Sequence, residues 1–361
     1  MTIMVGIDMH VKTLVCEIGH GKKAPKKKTF TNETIGHYRL MDYIDEQKQI
    51  HNASDVLVAY EASGLGYVLY DKFNEKGYSC AILAPTELKR SATGFKKKRD
   101  KKDAHDIYET VRGHVLAGNQ LHDVWVPDKN LRAERDVVRS LHDLSEKITQ
   151  VKNQVQTLLK KYGIRRPEKI DSWTKAFMFW LEDIGKKQSK EFRICLHSFL
   201  RQISFLTDEK KYIEKEVKAI ADKPKFKKVY EKLMEVPGVG VRTAMTFLTE
   251  IGDVTRFNNR REIGSYMGLT PSTNESGDAD DRKGRITRSG PYRLRSILNQ
   301  AVWIHLRFCG EEKVAYDRIA TRNPKHKKKA VVACMRRLGI KLWHIACDVI
   351  KEKNLEEEKT A

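Results

Sequence analysis

The fold turns on the stretch TIMVGIDMHVKTLVCEI, residues 2–18. TIMVGID and TLVCEI are short apolar runs joined through MHVK, the pattern of two neighbouring strands. Beyond it, HYRLMDYIDEQ (residues 37–47) reads as an amphipathic helix, DVLVAYEA (55–62) as a buried strand, GYVLYDKFNEKG (66–77) as a helix and YSCAILAP (78–85) as a further strand. Strands alternating with helical patterns predict an α/β domain over residues 1–125. DAHDIYETVRGHVLAG (103–118) adds a helix with an aspartate at its start and a glycine past its end.

The middle, residues 126–227, differs in kind. Val137, Leu141, Leu144, Ile148, Val151, Val155 and Leu158 alternate spacings of four and three, which is the heptad seam of a coiled coil. Phe199, Ile203, Leu206, Ile213, Val217 and Ile220 form a second seam, with Lys210 in one seam position. Two such helices, separated by SWTKAFMFWLEDIG, fold back as a hairpin or pair with another copy of the chain. Residues 228–361 read as mostly helical. They open with LMEVPGVGVRTAMTFLTEIGD, the pattern of a helix-hairpin-helix in which Gly238 and Gly240 let backbone N–H groups approach a phosphate. The helices YRLRSILNQAVWIHLRF and KAVVACMRRLGIKLWHIACDVIK follow, with an acidic tail expected to fray.

Charge narrows the partner. With 69 Lys+Arg against 48 Asp+Glu and a formal net charge of +21, the chain favours a polyanion, foremost nucleic acid, over a small neutral substrate. The excess is clustered at residues 89–102, where Lys96, Lys97 and Lys98 lie, at residues 282–295, which include Arg293, and at residues 322–329. Six cysteines without a CxxC pair read as reduced thiols rather than zinc ligands or disulfides. An aspartate at position 8 comes too early for a signal peptide, and an apolar run of about 18 residues is absent, so a cytosolic protein without a membrane partner is expected.

Four carboxylates suggest chemistry. Asp8 and Glu61 each end an apolar strand, which in an open α/β sheet places them at the carboxyl edge where sites form. Asp100 and Asp103 are three apart at the start of a helix, and Asp106 offers Asp103 a competing partner at the same spacing. Carboxylates converging without His or Cys suit hard divalent cations, Mg²⁺ or Mn²⁺, and two such ions can stabilise the attacking and leaving oxygens of a phosphodiester. His10 and His105 read as bystanders.

The motifs GIDMH, YEASG, KRDKKDA, EVPGVGVRTA, YMGLTPSTNESG and GRITRSGPYRLRSIL occur in this order. Together they resemble the DEDD-type insertion-sequence transposases that work as bridge-RNA-guided recombinases. The resemblance implies an N-terminal RNase H-like domain similar to RuvC, a coiled coil, and a C-terminal transposase domain with a nucleophilic serine. It carries the four metal-binding, catalytic acidic residues onto Asp8, Glu61, Asp100 and Asp103, and the nucleophile onto Ser276. This chain has Arg99 where the family usually has threonine. On this reading Ser276 attacks a DNA phosphodiester with Mg²⁺ held by the carboxylates. Gly277 leaves room for DNA, and Arg282, Lys283, Arg285 and Arg288 clamp phosphates. Ser272 and Ser289 are fallback nucleophiles. The implied partners are donor and target double-stranded DNA, a structured noncoding guide RNA, and further copies of the chain as dimers pairing into a tetramer. Two rival readings are a metal-dependent resolvase or nuclease that uses water, and a noncatalytic nucleic-acid-binding protein.

Overall fold

In the computed structural model the described residues are 1–85, 100–273 and 283–360, and the chain divides into two compact units, Met1–Val126 and Pro127–Ala361. The first is built on a five-stranded sheet in the order β3-β2-β1-β4-β5. Strand β1 (Thr2–Met9) pairs antiparallel with β2 (Thr13–His20), which pairs antiparallel with β3 (Lys26–Thr31). On its other side β1 runs parallel to β4 (Asp55–Glu61), and β4 parallel to β5 (Ser79–Leu83). This mixed sheet fits the RNase H-like architecture expected from the motifs.

Alternation along β1 gives each face of the sheet its own core. Ile3, Val5 and Ile7 point to the side covered by α1 (Thr34–Ile50) and α2 (Val68–Glu75), where Leu40, Ile44, Leu69 and Phe73 are buried with them. Met4 points to the opposite side and packs with Ala59, Ala81 and Leu83 against α3 (Asp100–Ala117). The buried residues of α3 are Ala104, Ile107, Tyr108 and Val111, a helical stripe that turns one face to the sheet. Apolar patterning does not find β3. Its residues are almost all exposed, and Lys26, Lys27 and Lys28 occupy a sheet edge where charge discourages pairing with other chains.

The second unit is helical. Helix α4 (Lys129–Lys161) is capped by Asp128, whose side chain accepts from Leu131 N at 2.9 Å. It packs along α6 (Lys190–Ala221), with α5 (Lys175–Lys187) at their junction. The pair is antiparallel. Val151, Val155 and Leu159 late in α4 share a core with Phe192, Leu196 and Ile203 early in α6, while Glu134 near the start of α4 binds Lys223 and Lys225 just past α6. The hairpin arrangement is therefore made within one chain.

The buried stripe of α4 includes Val138 and Leu159 but leaves Val137, Ile148 and Leu158 only half-buried. Within the compact unit, α7 (Pro224–Met234) and α8 (Val241–Ile251) pack on the hairpin helices. Arg135 Nε donates to Thr249 O at 2.7 Å, and Arg139 grips the buried Glu250 with two bonds of 2.8 and 2.9 Å. Helix α10 (Tyr292–Phe308) packs on α8, and α12 (Lys328–Thr360) packs on α7, α10, α9 (Arg260–Tyr266) and α11 (Gly310–Arg322). The backbone of α12 stays helical through the acidic tail, and Lys228 Nζ binds Glu356 Oε2 at 2.6 Å. Among the described residues no helix is long and apolar enough to cross a membrane.

Candidate active site

The carboxylates of the first unit come together through strand register. Ile7 pairs with Tyr60 across the parallel β1–β4 ladder, so Asp8 and Glu61 stand one step further at the carboxyl ends of adjacent strands. Alternation puts both on the α3 side, since Met4 and Gly6 precede Asp8 on that face and Ala59 precedes Glu61. Gly6 permits the approach of the helix: a Cβ there would lie 2.4 Å from Tyr108 N and 2.7 Å from Ala104 O. Half-buried Asp103 sits in the first turn of α3, beside the Ala104 that touches Gly6. Asp100 opens the helix one turn earlier; its side chain, and all of Lys96, Lys97 and Lys98, lie outside the described residues.

Three residues belong beside this cluster, two of them read as bystanders and one missed altogether. His10 Nε2 lies 2.9 Å from Asp8 Oδ2. Glu17 pairs in register with Gly6 and is buried, and His105 Nδ1 lies 2.7 Å from its Oε2. A carboxylate only accepts, so Nδ1 carries the proton and donates. The bond ties the first turns of α3 to β2 beneath the acidic cluster. An acid inside the apolar run TLVCEI was the available signal, since a buried carboxylate requires a partner. Burial first, and then the charge of Asp8, push the Cys16 thiol far above its ordinary pKa.

In the second unit, β6 (Pro271–Thr273) and β7 (Lys283–Ile286) form an antiparallel pair, and the segment joining them carries Ser276 and Arg282. Ser276, Arg282 and the side chain of Lys283 lie outside the described residues. Arg285 and Arg288 are exposed, as phosphate contacts require. Arg293 is instead engaged by Asp143, at 2.7 and 3.2 Å. The base of the strand pair is held by Arg295, whose Nη1 donates to the carbonyls of Ser289 and Gly290 at 3.1 and 3.0 Å. Ser272 donates to Arg285 O and Ser289 to Thr287 Oγ1.

The two glycines of the PGVG turn have separate roles. Gly238, at φ +88, packs against the chain itself, where a Cβ would meet Ala301 O at 2.6 Å. Gly240 caps α8, and a Cβ there would meet nothing within 4 Å. A second set of possible metal ligands, His142, Asp143 and Glu146 on α4, has its donor atoms within 4.8 Å of one another. Arg293 engages Asp143 Oδ1 in this set, as His10 engages Asp8 Oδ2 in the first unit.

Comparison with known proteins finds matching families in both units. Residues 5–164 match the DEDD-type transposase family of IS110, and residues 230–317 match the transposase IS116/IS110/IS902 family. The putative transposase y4qE of Sinorhizobium fredii is 30% identical over 250 residues, 69% of this chain and 58% of that protein. The transposase for insertion sequence element IS1111A of Coxiella burnetii is 25% identical over 249 residues, 67% of this chain and 63% of that protein. The pilin gene-inverting protein of Moraxella bovis is 32% identical over 108 residues, 29% of this chain and 33% of its own length. The chain thus spans somewhat under two thirds of the length of the Sinorhizobium and Coxiella relatives.

Proposed function

Because this chain belongs to the DEDD-type insertion-sequence transposases, we propose that it recombines donor and target DNA under the direction of a structured noncoding RNA, with Ser276 as the nucleophile. The observation that carries the reading is the placement of Asp8 and Glu61 at matched ends of parallel strands on the face covered by the helix that bears Asp100 and Asp103. Carboxylate oxygens without nitrogen or sulfur ligands fit Mg²⁺, with Mn²⁺ as a substitute. Bound there, the ion supplies Lewis acidity at the scissile phosphodiester.

The chain's own groups do the rest. The Ser276 oxygen forms a bond to phosphorus as the bond to the leaving DNA oxygen breaks, and the proton lost by the serine is regained by that oxygen. One phosphodiester replaces another, so no outside energy source is needed. The bond between His105 and Glu17 fixes the helix start that presents Asp103. Exposed Arg285 and Arg288 supply phosphate contacts next to the serine segment. Self-association through the helical hairpin is supported by Phe179, Ile194, Phe205 and Tyr212, large apolar side chains exposed on α5 and α6.

The experiment combines the protein with end-labelled donor DNA, target DNA, Mg²⁺ and the element's flanking RNA. The native protein yields recombinant product and a protein–DNA adduct that survives denaturing gels. Ser276→Ala loses both, and Asp8→Asn loses both. Cleavage that persists in Ser276→Ala would assign the nucleophile to water, and equal product without RNA would reject guidance.

A further inference from the structure

The second unit contains a cleft of about 870 Å³ between the hairpin and the helical body, and none of its lining residues belongs to the strand pair that brackets Ser276 in sequence. One wall is a ladder on α4, Ser145, Thr149, Gln150, Asn153 and Thr157 among it, with Lys161 at its end. Phe199 of α6 faces it, and Arg242 of α8 with Ser296 and Gln300 of α10 close it. The lining combines neutral hydrogen-bonding groups, the cations Arg242 and Lys161, the acid Glu146, the His142 ring, and the apolar side chains Leu158 and Phe199.

Two side chains in the cleft are left without hydrogen bonds. His142 is 2% exposed, yet neither ring nitrogen has a hydrogen-bond partner among the described residues, and Glu146 Oε1 lies 3.5 Å from its Nδ1. Arg242 Nε is likewise buried without one, and Glu214 and Glu146 bear on the guanidinium electrostatically. Buried polar atoms in this state call for a partner from outside the chain. Arg242 and Arg293 bear on His142 electrostatically, opposed by Glu146 and Asp143. Arg242 is the second residue of α8, within the first turn that follows Gly240. A guanidinium and a helix N-terminus at one place favour a phosphate.

We propose that this cleft binds a single-stranded nucleic-acid segment, with one phosphate held by Arg242 near the start of α8 and another by Lys161 at the far end of α4, base edges met by the Gln150 and Asn153 amides between them, and a base stacked on Phe199. Unpaired strands offer the edges and ring faces that amides and an aromatic side chain recognise. This assignment rests on the reading of the chain as a nucleic-acid recombinase and names where it holds an unpaired strand.

The test measures anisotropy of fluorescein-labelled ten-nucleotide single strands, one RNA and one DNA, with the full chain carrying Ser276→Ala so that no cleavage intervenes. Adding Arg242→Gln is expected to weaken binding about ten-fold and to reduce the dependence of log K on log salt by roughly 0.7, the contribution of one single-strand phosphate contact. The double change Gln150→Ala and Asn153→Ala is expected to weaken binding with the salt slope unchanged. A photoreactive base is expected to crosslink to peptides within residues 145–161. A larger effect on RNA or on DNA identifies the source of the strand. Unchanged affinity for both, in variants whose melting matches the parent, overturns the proposal. Because the assay requires no strand cleavage, failure of the serine chemistry leaves it intact, and failure of the cleft leaves recombination by native protein intact.

Discussion

Replacing Gly6 with alanine is expected to damage the acidic site without touching any acidic residue. The added methyl would lie 2.4 Å from Tyr108 N and 2.7 Å from both Ala104 O and Tyr108 Cα. All three are backbone atoms of α3 and cannot rotate away. Ordinary contact begins near 3.4 Å, so the helix must withdraw by about 1 Å, and overpacking of this kind costs about 1–3 kcal/mol. The same withdrawal carries Asp103 away from the sheet face of Asp8 and Glu61, and a misplacement near 1 Å costs about 100-fold in rate. Two measurements are needed, because the two compact units need not unfold together. Hydrogen exchange of peptides from β1 and α3 reads local stability, and the rate of strand cleavage with Mg²⁺ reads the site. Gly310→Ala, where nothing lies within 4 Å of the added methyl, serves as the control and changes neither. A Gly6→Ala protein with parental exchange in α3 and parental cleavage would refute the claim that contact between this helix and the strand assembles the carboxylates.

Gly238→Ala combines a positive φ, costing about 1–2 kcal/mol, with backbone overlap at Ala301 and His305, adding about 1–3 kcal/mol, so a clear fall in the urea midpoint of the helical unit is expected. Gly240→Ala, two residues on, has an open surrounding and an ordinary φ of −103, and its midpoint falls far less. Burial first, and Arg242 next, hold the pKa of His142 below 6.5, so the folded chain keeps this ring neutral where the unfolded chain takes up a proton. Stability from that source is complete above about pH 6.5 and declines as pH falls below it, because the unfolded state then binds more protons. Urea midpoints measured between pH 7.5 and 5.5 should fall less steeply in His142→Gln than in the parent.

The first unit is readable because its signals are local. Four strands announce themselves as apolar runs, and Asp8 and Glu61 are legible as acids at the ends of two of them. Strand β3 is not readable, since KKKTFT lies exposed at an edge and carries no inward alternation. Glu17 escapes for the opposite reason. Within TLVCEI it passes as the polar member of a strand, and only the arrival of His105, 88 positions later, makes its burial tolerable.

The long helix α4 shows where such reading ends. A heptad template assigns one seam to the whole helix, but α4 meets different partners along its length. Its later half buries Val151, Val155 and Leu159 against α6, as an apolar seam should. Its earlier half buries Glu134, Arg135 and His142, and Arg135 and Arg139 reach Thr249 and Glu250 more than 100 positions away. A pattern built on hydrophobicity assigns those residues to solvent, because the groups that compensate their burial are distant in sequence. The same residues fix how the hairpin meets the helical body and leave the cleft open between them. Polar burial, invisible to periodicity, is therefore what turns a generic helical hairpin into a shaped surface. It follows that Glu250→Ala should disturb the cleft as well as stability, since the Arg139 guanidinium would lose the buried carboxylate it grips with two bonds and the positive end of that contact would be left without its charge balance. The check is a urea midpoint measured beside strand binding in the cleft, and a loss of stability with strand affinity unchanged would show that this ion pair holds the helices together without shaping the surface between them.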